Sequence, residues 1–276
     1  MIERIRPGVS AAKTRFVLFD FDGTVSVIRA GWVDVMVPMM VEILAGLKTG
    51  ETEAELTAIV EEFVALLTGK QTMYQMIELA RQVESRGGTP LDPLQYKKTY
   101  LARLDGKIRY RIEELRRGHV PPEKYLVPGA RPLLEAMAQM GFTMYLASGT
   151  DQEYMHEEAR LLDVYRYFNG GVFGALDDYK SFSKKILIQR VIAASGCSGE
   201  DFLCFGDGYV EIENVKEVGG LAVGVATKEP ECREVDPWKR KRLVGVGADF
   251  IVPNFLCHRE LLAELFPRKS ADSPIR

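Results

Sequence analysis

Two short stretches of the sequence concentrate residue types that suit acid–base and phosphoryl chemistry. Asp20-Phe21-Asp22-Gly23-Thr24 follows the apolar run Phe16-Val17-Leu18-Phe19. Two carboxylates at i and i+2, where a strand gives way to a loop, can face one crevice, and a glycine there permits a tight turn. Such a pair suits a nucleophile beside a general acid/base. Gly206-Asp207-Gly208-Tyr209-Val210-Glu211 follows a second apolar run and brings two more acids. Carboxylates gathered at one place repel one another unless a cation joins them. With no His or Cys among them the donors are hard oxygens, which suit magnesium rather than zinc.

These acids need strands to carry them. Phe16–Phe19, Met144–Ala147, Phe202–Phe205 and Leu221–Val225 are continuous apolar runs, with a fifth at Phe250–Val252. Runs of this length that do not alternate with polar residues indicate strands buried on both faces, as in a parallel sheet. Helical patterns lie between them, such as Leu133, Leu134, Met137 and Met140, or Ile188, Val191 and Ile192. Alternating strands and helices predict a Rossmann-like, doubly wound α/β core. Ligands of such sheets bind at the carboxyl ends of the strands. Asp20, Ser148 and Gly206-Asp207 stand at three such ends.

Between Val25 and about Val127 the pattern changes. Four apolar stripes recur at helical spacing, and no stretch reads as a strand. Trp32 to Leu47 forms the first and Leu56 to Leu67 the second, the latter introduced by the capping-box pattern Thr52-x-x-Glu55. Met73, Met76, Ile77 and Ala80 make the third. Tyr96, Tyr100, Leu101 and Leu104 make the fourth, with a bend expected at Asp105-Gly106. The expectation is a core of residues 1–25 and 126–266, an inserted α-helical unit of residues 26–125, and a disordered polar tail of residues 267–276.

Together the two acidic stretches make the chain resemble the haloacid-dehalogenase-like superfamily. The likeness is to its phosphatase branch with a helical cap after the first motif, the phosphoglycolate phosphatase and β-phosphoglucomutase type. It spans nearly the whole chain. True dehalogenases lack the second acid of the first motif, and Asp22 is present here, so the resemblance implies phosphoryl transfer. It implies that Asp20 attacks phosphorus while Asp22 protonates the leaving alcohol and later activates water. Magnesium would be held by Asp20, the backbone carbonyl of Asp22, and Asp207, with Glu211 acting directly or through water. The family more often has Asp at the position of Glu211. It also implies that Ser148 and Gly149 bind phosphate, together with a lysine before the last acidic strand. Lys180, Lys184 and Lys185 are candidates, and the family's spacing to a helix-ending glycine, here Gly196, favours Lys184. Thr150-x-x-Glu153 is a further capping-box pattern and would open a helix beside them.

Caps of this family close over the site and choose the substrate. Arg29, in the segment leading into the insertion, and Lys70, in the polar turn Gly69-Lys70-Gln71-Thr72, are the specificity candidates. The expected activity is hydrolysis of a small-metabolite phosphate monoester, a sugar phosphate or phosphoglycolate-like compound. A phosphomutase using the same aspartyl phosphate, or a non-catalytic scaffold of the same fold, are the alternatives. The 276 residues carry a net charge of −3 with 27% charged residues, a balance that gives no reason to expect nucleic acid or a membrane as partner. No apolar run is long enough to cross a bilayer, and the first residues lack a signal peptide's apolar stretch. Cys197, Cys204, Cys232 and Cys257 form no C-x-x-C pair, so free thiols and a cytoplasmic protein are expected; a monomer or homodimer is the expected state. His119, His156 and His258 fit no motif. Lys239-Arg240-Lys241-Arg242, preceded by acids, reads as a mixed charged loop.

Overall fold

Phe16, Val17, Leu18 and Phe19 form a strand whose side chains leave alternately to its two faces. Phe16 and Leu18 enter one apolar cluster, Val17 and Phe19 another. Phe202 to Phe205 repeats the arrangement. A strand buried on both faces must lie inside a sheet covered by helices on both sides. The computed structural model describes residues 2–176, 178 and 183–267 and has this architecture. Its strands are β1 (Glu3–Arg4), β2 (Phe16–Phe19), β3 (Thr143–Asp151), β4 (Gly171–Ala175), β5 (Phe202–Gly206), β6 (Leu221–Val225) and β7 (Phe250–Val252), in the order β1-β7-β6-β5-β2-β3-β4. All neighbours pair parallel except β1, which closes one edge antiparallel to β7. The fold is the expected Rossmann-like α/β core.

The order β5-β2-β3 matters for function. In register, Phe19 is level with Leu146 and with Phe205. The residues that follow these strands therefore emerge side by side: Asp207 from β5, Asp20 from β2, and Ser148 within the longer β3.

Four helices follow β2: α1 (Val33–Ala45), α2 (Glu53–Leu67), α3 (Thr72–Ser85) and α4 (Pro93–Arg116). The Thr52/Glu55 capping box opens α2, with Glu55 N–H donating to Thr52 Oγ1 at 3.3 Å and Thr52 N–H to Glu55 Oε2 at 2.8 Å. Asp92 caps α4 through Leu94 N–H, with Pro93 at the first turn, where its missing N–H has no cost. Contrary to expectation, α4 continues unbroken through Asp105-Gly106. Its buried face, Tyr100, Leu104 and Ile108, runs past that point at helical spacing and holds it straight. The methionines Met36, Met39, Met40 and Met76 are buried core.

The remaining helices are α5 (Ala130–Gln139), α6 (Gln152–Leu161), α7 (Lys184–Ser195), α8 (Tyr209–Glu217), α9 (Pro237–Gly245) and α10 (His258–Leu265). Ser183 caps α7 through Ile186 N–H, and Gly196 ends it in a left-handed conformation at φ 63°. The Lys239–Arg242 stretch is not a loop but the body of α9, started by Asp236 as its cap. The helix expected after Thr150 is present as α6, but Thr150 does not cap it. The residue at that position is Asp151, with no side-chain cap bond. All four cysteines are free thiols. No described helix is long and apolar enough to cross a membrane. Lys180 and nearly all of the 267–276 segment lie outside the described residues.

Candidate active site

The two acidic motifs and the Ser148 strand end meet over the middle of the sheet. Asp20 is buried, and its N–H is held by Phe205 O at 2.9 Å, so the first residue after β2 is still fastened to β5. Gly23 takes φ 75°, and a Cβ at that position would collide with Asp207 Oδ2. Glycine is thus required for the first motif to lie against the second. Carboxylate oxygens of Asp20, Asp207 and Glu211 lie within 4.8 Å of one another.

Lys184, the first residue of α7, reaches under this group. Its ammonium is 2.7 Å from Asp20 Oδ1 and 2.8 Å from Glu211 Oε2, in a fully desolvated position. Lys184 is therefore the lysine in contact with the nucleophile candidate. Lys185 points away to Glu217 on α8. Burial pushes the Asp20 carboxyl well above its usual range. Lys184 opposes that push, while Glu211 and Asp207 add to it. On Lys184, Asp20 and Glu211 outweigh burial and hold it protonated.

Glu211 is fully buried. Its Oε1 accepts the Gly208 N–H at 2.7 Å and its Oε2 accepts from Lys184. A Cβ at Gly206 would collide with Glu211 Cγ. The bare glycine makes room for the longer side chain. Asp207 Oδ2 accepts from Lys239 at 2.7 Å, and the same ammonium bonds Glu229 Oε1 at 2.7 Å. Burial pushes the Glu229 carboxyl up, against the pull of Lys239.

The Asp22 carboxylate stands apart from this cluster. Its Oδ2 accepts from Ser148 Oγ at 3.0 Å and from Thr150 Oγ1 at 2.8 Å. Ser148 Oγ in turn accepts the Thr150 N–H. Thr150 belongs to β3, which runs on to Asp151, so it does not stand at the cap position of α6. Gly149 is roofed by the insertion: a Cβ there would lie 2.8 Å from Lys70 O. One residue earlier, a Cβ at Gly69 would lie 3.4 Å from Gly208 Cα. The turn between α2 and α3 therefore touches both strand-end loops at once. Lys70 and Arg29 both line the resulting cavity, whose volume is about 100 Å³. Lys70 is exposed, with its ammonium 5.8 Å from the Tyr74 ring centre. The Arg29 guanidinium is committed to Glu158 of α6 rather than free in the cleft.

Several members of this arrangement were not singled out in the sequence. Thr150 was read only as a cap. Lys239 was hidden in a basic tetrapeptide that gives no sign of facing inward. Glu158 did carry a signal, because it falls on the apolar stripe Met155, Ala159 and Leu162 of α6 and its C-cap. Lys97 of α4, also buried, lies 2.5 Å from Asp151 Oδ1 and ties the insertion to the end of β3.

Haloacid dehalogenase-like hydrolases match residues 14–219, and the chain belongs to that family. No curated protein matches the sequence. Among solved structures, a candidate phosphoglycolate phosphatase of Haemophilus somnus 129pt superposes with a TM-score of 0.57 at 13% identity, over 90% of this chain and 98% of that one. A candidate phosphatase of Clostridium acetobutylicum gives 0.57 at 15% identity, over 91% and 99%. A candidate β-phosphoglucomutase of Thermotoga maritima gives 0.53 at 18% identity, over 92% and 100%. At these identities the likeness is one of fold.

Proposed function

We propose that this chain is a magnesium-dependent phosphatase that hydrolyses a small-metabolite phosphate monoester through an aspartyl phosphate on Asp20. The observation that carries the reading is the convergence of Asp20, Asp22, Ser148, Lys184 and Asp207 on one cavity between the sheet and the helical insertion.

Asp20 Oδ attacks phosphorus, and the bond from phosphorus to the alcohol oxygen breaks. Asp22 gives its proton to that oxygen as it leaves. A water then attacks phosphorus, Asp22 takes the proton back, and phosphate departs from Asp20. Lys184 holds Asp20 in place and adds positive charge beside the attacking oxygen. Ser148 and Thr150 fix the rotamer of Asp22, and the N–H groups around Gly149 offer donors to the transferring oxygens. The donor set fits a hard divalent cation: the buried carboxylates of Asp20 and Glu211 and the half-buried carboxylate of Asp207 converge, with no nitrogen or sulfur ligand among them. Magnesium on Asp20, Asp207 and the Asp22 carbonyl would neutralise both the nucleophile and the phosphate it approaches. Glu211 already accepts two hydrogen bonds, which suits a role through Lys184 or a bridging water.

The helices from Val33 to Arg116 act as the cap in this reading. Their turn at Gly69-Lys70 closes the cavity, and its small volume suits a compact leaving group. Release of inorganic phosphate from a panel of phosphorylated metabolites in magnesium tests the proposal. Isomerised phosphosugar without free phosphate would instead mark a mutase.

A further inference from the structure

The Asp22 carboxyl is held on one side only by hydrogen bonds. Ser148 and Thr150 occupy Oδ2, while Oδ1 is buried and has no hydrogen-bond partner among the described residues. What faces Oδ1 is Arg29, whose Nε lies 4.0 Å away. Arg29 is itself buried and rigidly placed. Its Nε is 3.1 and 3.3 Å from the two oxygens of Glu158, and its Nη2 is 2.6 Å from Oε1. The ring of Tyr154 lies 5.4 Å from the guanidinium carbon. The backbone on either side is fastened as well. Arg111 of α4 donates to Ile28 O at 2.7 Å and to Ala30 O at 2.9 Å.

We propose that Arg29, clamped by Glu158, is a positioning residue for Asp22: it faces the buried Oδ1 and, with Ser148 and Thr150 on Oδ2, fixes the orientation from which the carboxyl protonates the leaving group. The inference rests on the phosphatase reading above. Oδ1 is buried away from the cavity, so the guanidinium that faces it acts on Asp22 through the carboxyl's orientation. A guanidinium at 4.0 Å is too far to claim that oxygen by a hydrogen bond. It is close enough to orient the carboxyl electrostatically in a site shielded from water. Because Arg111 belongs to the insertion and Glu158 to the core, this arrangement also links the seating of the insertion to the aim of the acid.

The test uses two esters of similar shape. Phenyl phosphate needs a proton on its departing oxygen, whereas 2,4-dinitrophenyl phosphate expels a stable phenolate without one. For both, kcat/KM reports the first phosphoryl transfer. Arg29→Met should lower kcat/KM for phenyl phosphate about ten-fold or more beyond its effect on the dinitrophenyl ester. Arg29→Lys, which restores a cation, should recover part of that difference. Arg29→Met leaves Glu158 buried without its partner and can destabilise the chain. The double variant Arg29→Met with Glu158→Met removes both charges, a replacement that buried pairs tolerate. It should show the same selective loss. Equal losses on the two esters, or no loss, would overturn the proposal, and a loss on both through raised KM would make Arg29 a substrate ligand instead. If the unaltered protein hydrolyses neither ester, the phosphatase reading itself fails, and this inference with it.

Discussion

The ammonium of Lys184 stands 2.7 Å from Asp20 Oδ1, and both groups are buried. The same ammonium also serves Glu211, so one cation balances two buried carboxylates. Removing one partner from such a group leaves charge with nothing to compensate it, at a cost of about 3 to 5 kcal/mol. Lys184→Met should therefore lower the melting temperature and reduce turnover about 100-fold or more. Added magnesium should restore part of the lost melting temperature, because a cation bound to the folded state stabilises it. Chelator should abolish turnover of the unaltered protein, and magnesium should restore it. An unchanged melting temperature in Lys184→Met, or full activity in excess chelator, would contradict this account of the charges.

Burial pushes the Glu158 carboxyl from its ordinary value of 4.5 up to about 7, against the pull of Arg29. Arg29, by contrast, is held more firmly protonated by Glu158. Both groups are shifted upward, but for opposite reasons: desolvation outweighs attraction for the carboxylate, while the carboxylates around Arg29 outweigh desolvation for the guanidinium. The sign for stability follows from the raised carboxyl. Below about pH 4.5 Glu158 is protonated in both folded and unfolded chains, and its contribution is fully present. Between about 4.5 and 7 only the unfolded chain ionises, so stability falls by up to about 3 kcal/mol and then levels off. Thermal melts of the unaltered protein and of Glu158→Gln across this range should converge or diverge by that amount, the substitution flattening the fall. Parallel curves would mean that Glu158 does not titrate in this window.

Lys70 lies on the turn that roofs Gly149 and lines the cavity without a carboxylate partner among the described ion pairs. Its cationic head can meet a polar or anionic part of the substrate away from the phosphate. Lys70→Ala should lower kcat/KM for the true substrate roughly ten-fold, about 1.4 kcal/mol, and leave p-nitrophenyl phosphate much less affected. Equal losses on both would place Lys70 at the phosphate or mark a disturbed turn.

The central strands were legible because burial on both faces leaves an uninterrupted apolar run, as in Phe16–Phe19 and Leu221–Val225. Two strands were not. Glu3-Arg4 is short, charged and at an edge, where no apolar pattern is needed. Gly171-Val172-Phe173-Gly174-Ala175 carries two glycines and two apolar side chains longer than Ala, too little for a strand signal. Gly174 is small for a tertiary reason, since a Cβ there would collide with Gln152 Cα. In the site, Asp20, Asp22 and Asp207 were legible from motif spacing, and Lys184 from its distance to Gly196. Lys239 was not, because a lysine facing inward is chosen by Asp207 and Glu229, which only the folded chain brings near. The capping pattern at Thr150 misled for a similar reason: pairing with β4 carries β3 on to Asp151, so α6 starts one residue later than the pattern implies.

The most direct test of the account is chemical identification of the phosphorylated residue. The protein is mixed with p-nitrophenyl phosphate and magnesium, quenched in acid during turnover, and reduced with borohydride, which converts an aspartyl phosphate to homoserine. Mass spectrometry of the peptides then locates the change. The account predicts conversion at Asp20, and its absence in Asp20→Asn, which should be inactive because an amide cannot form the acyl phosphate. Conversion at another carboxylate, or near-normal turnover by Asp20→Asn, would contradict it.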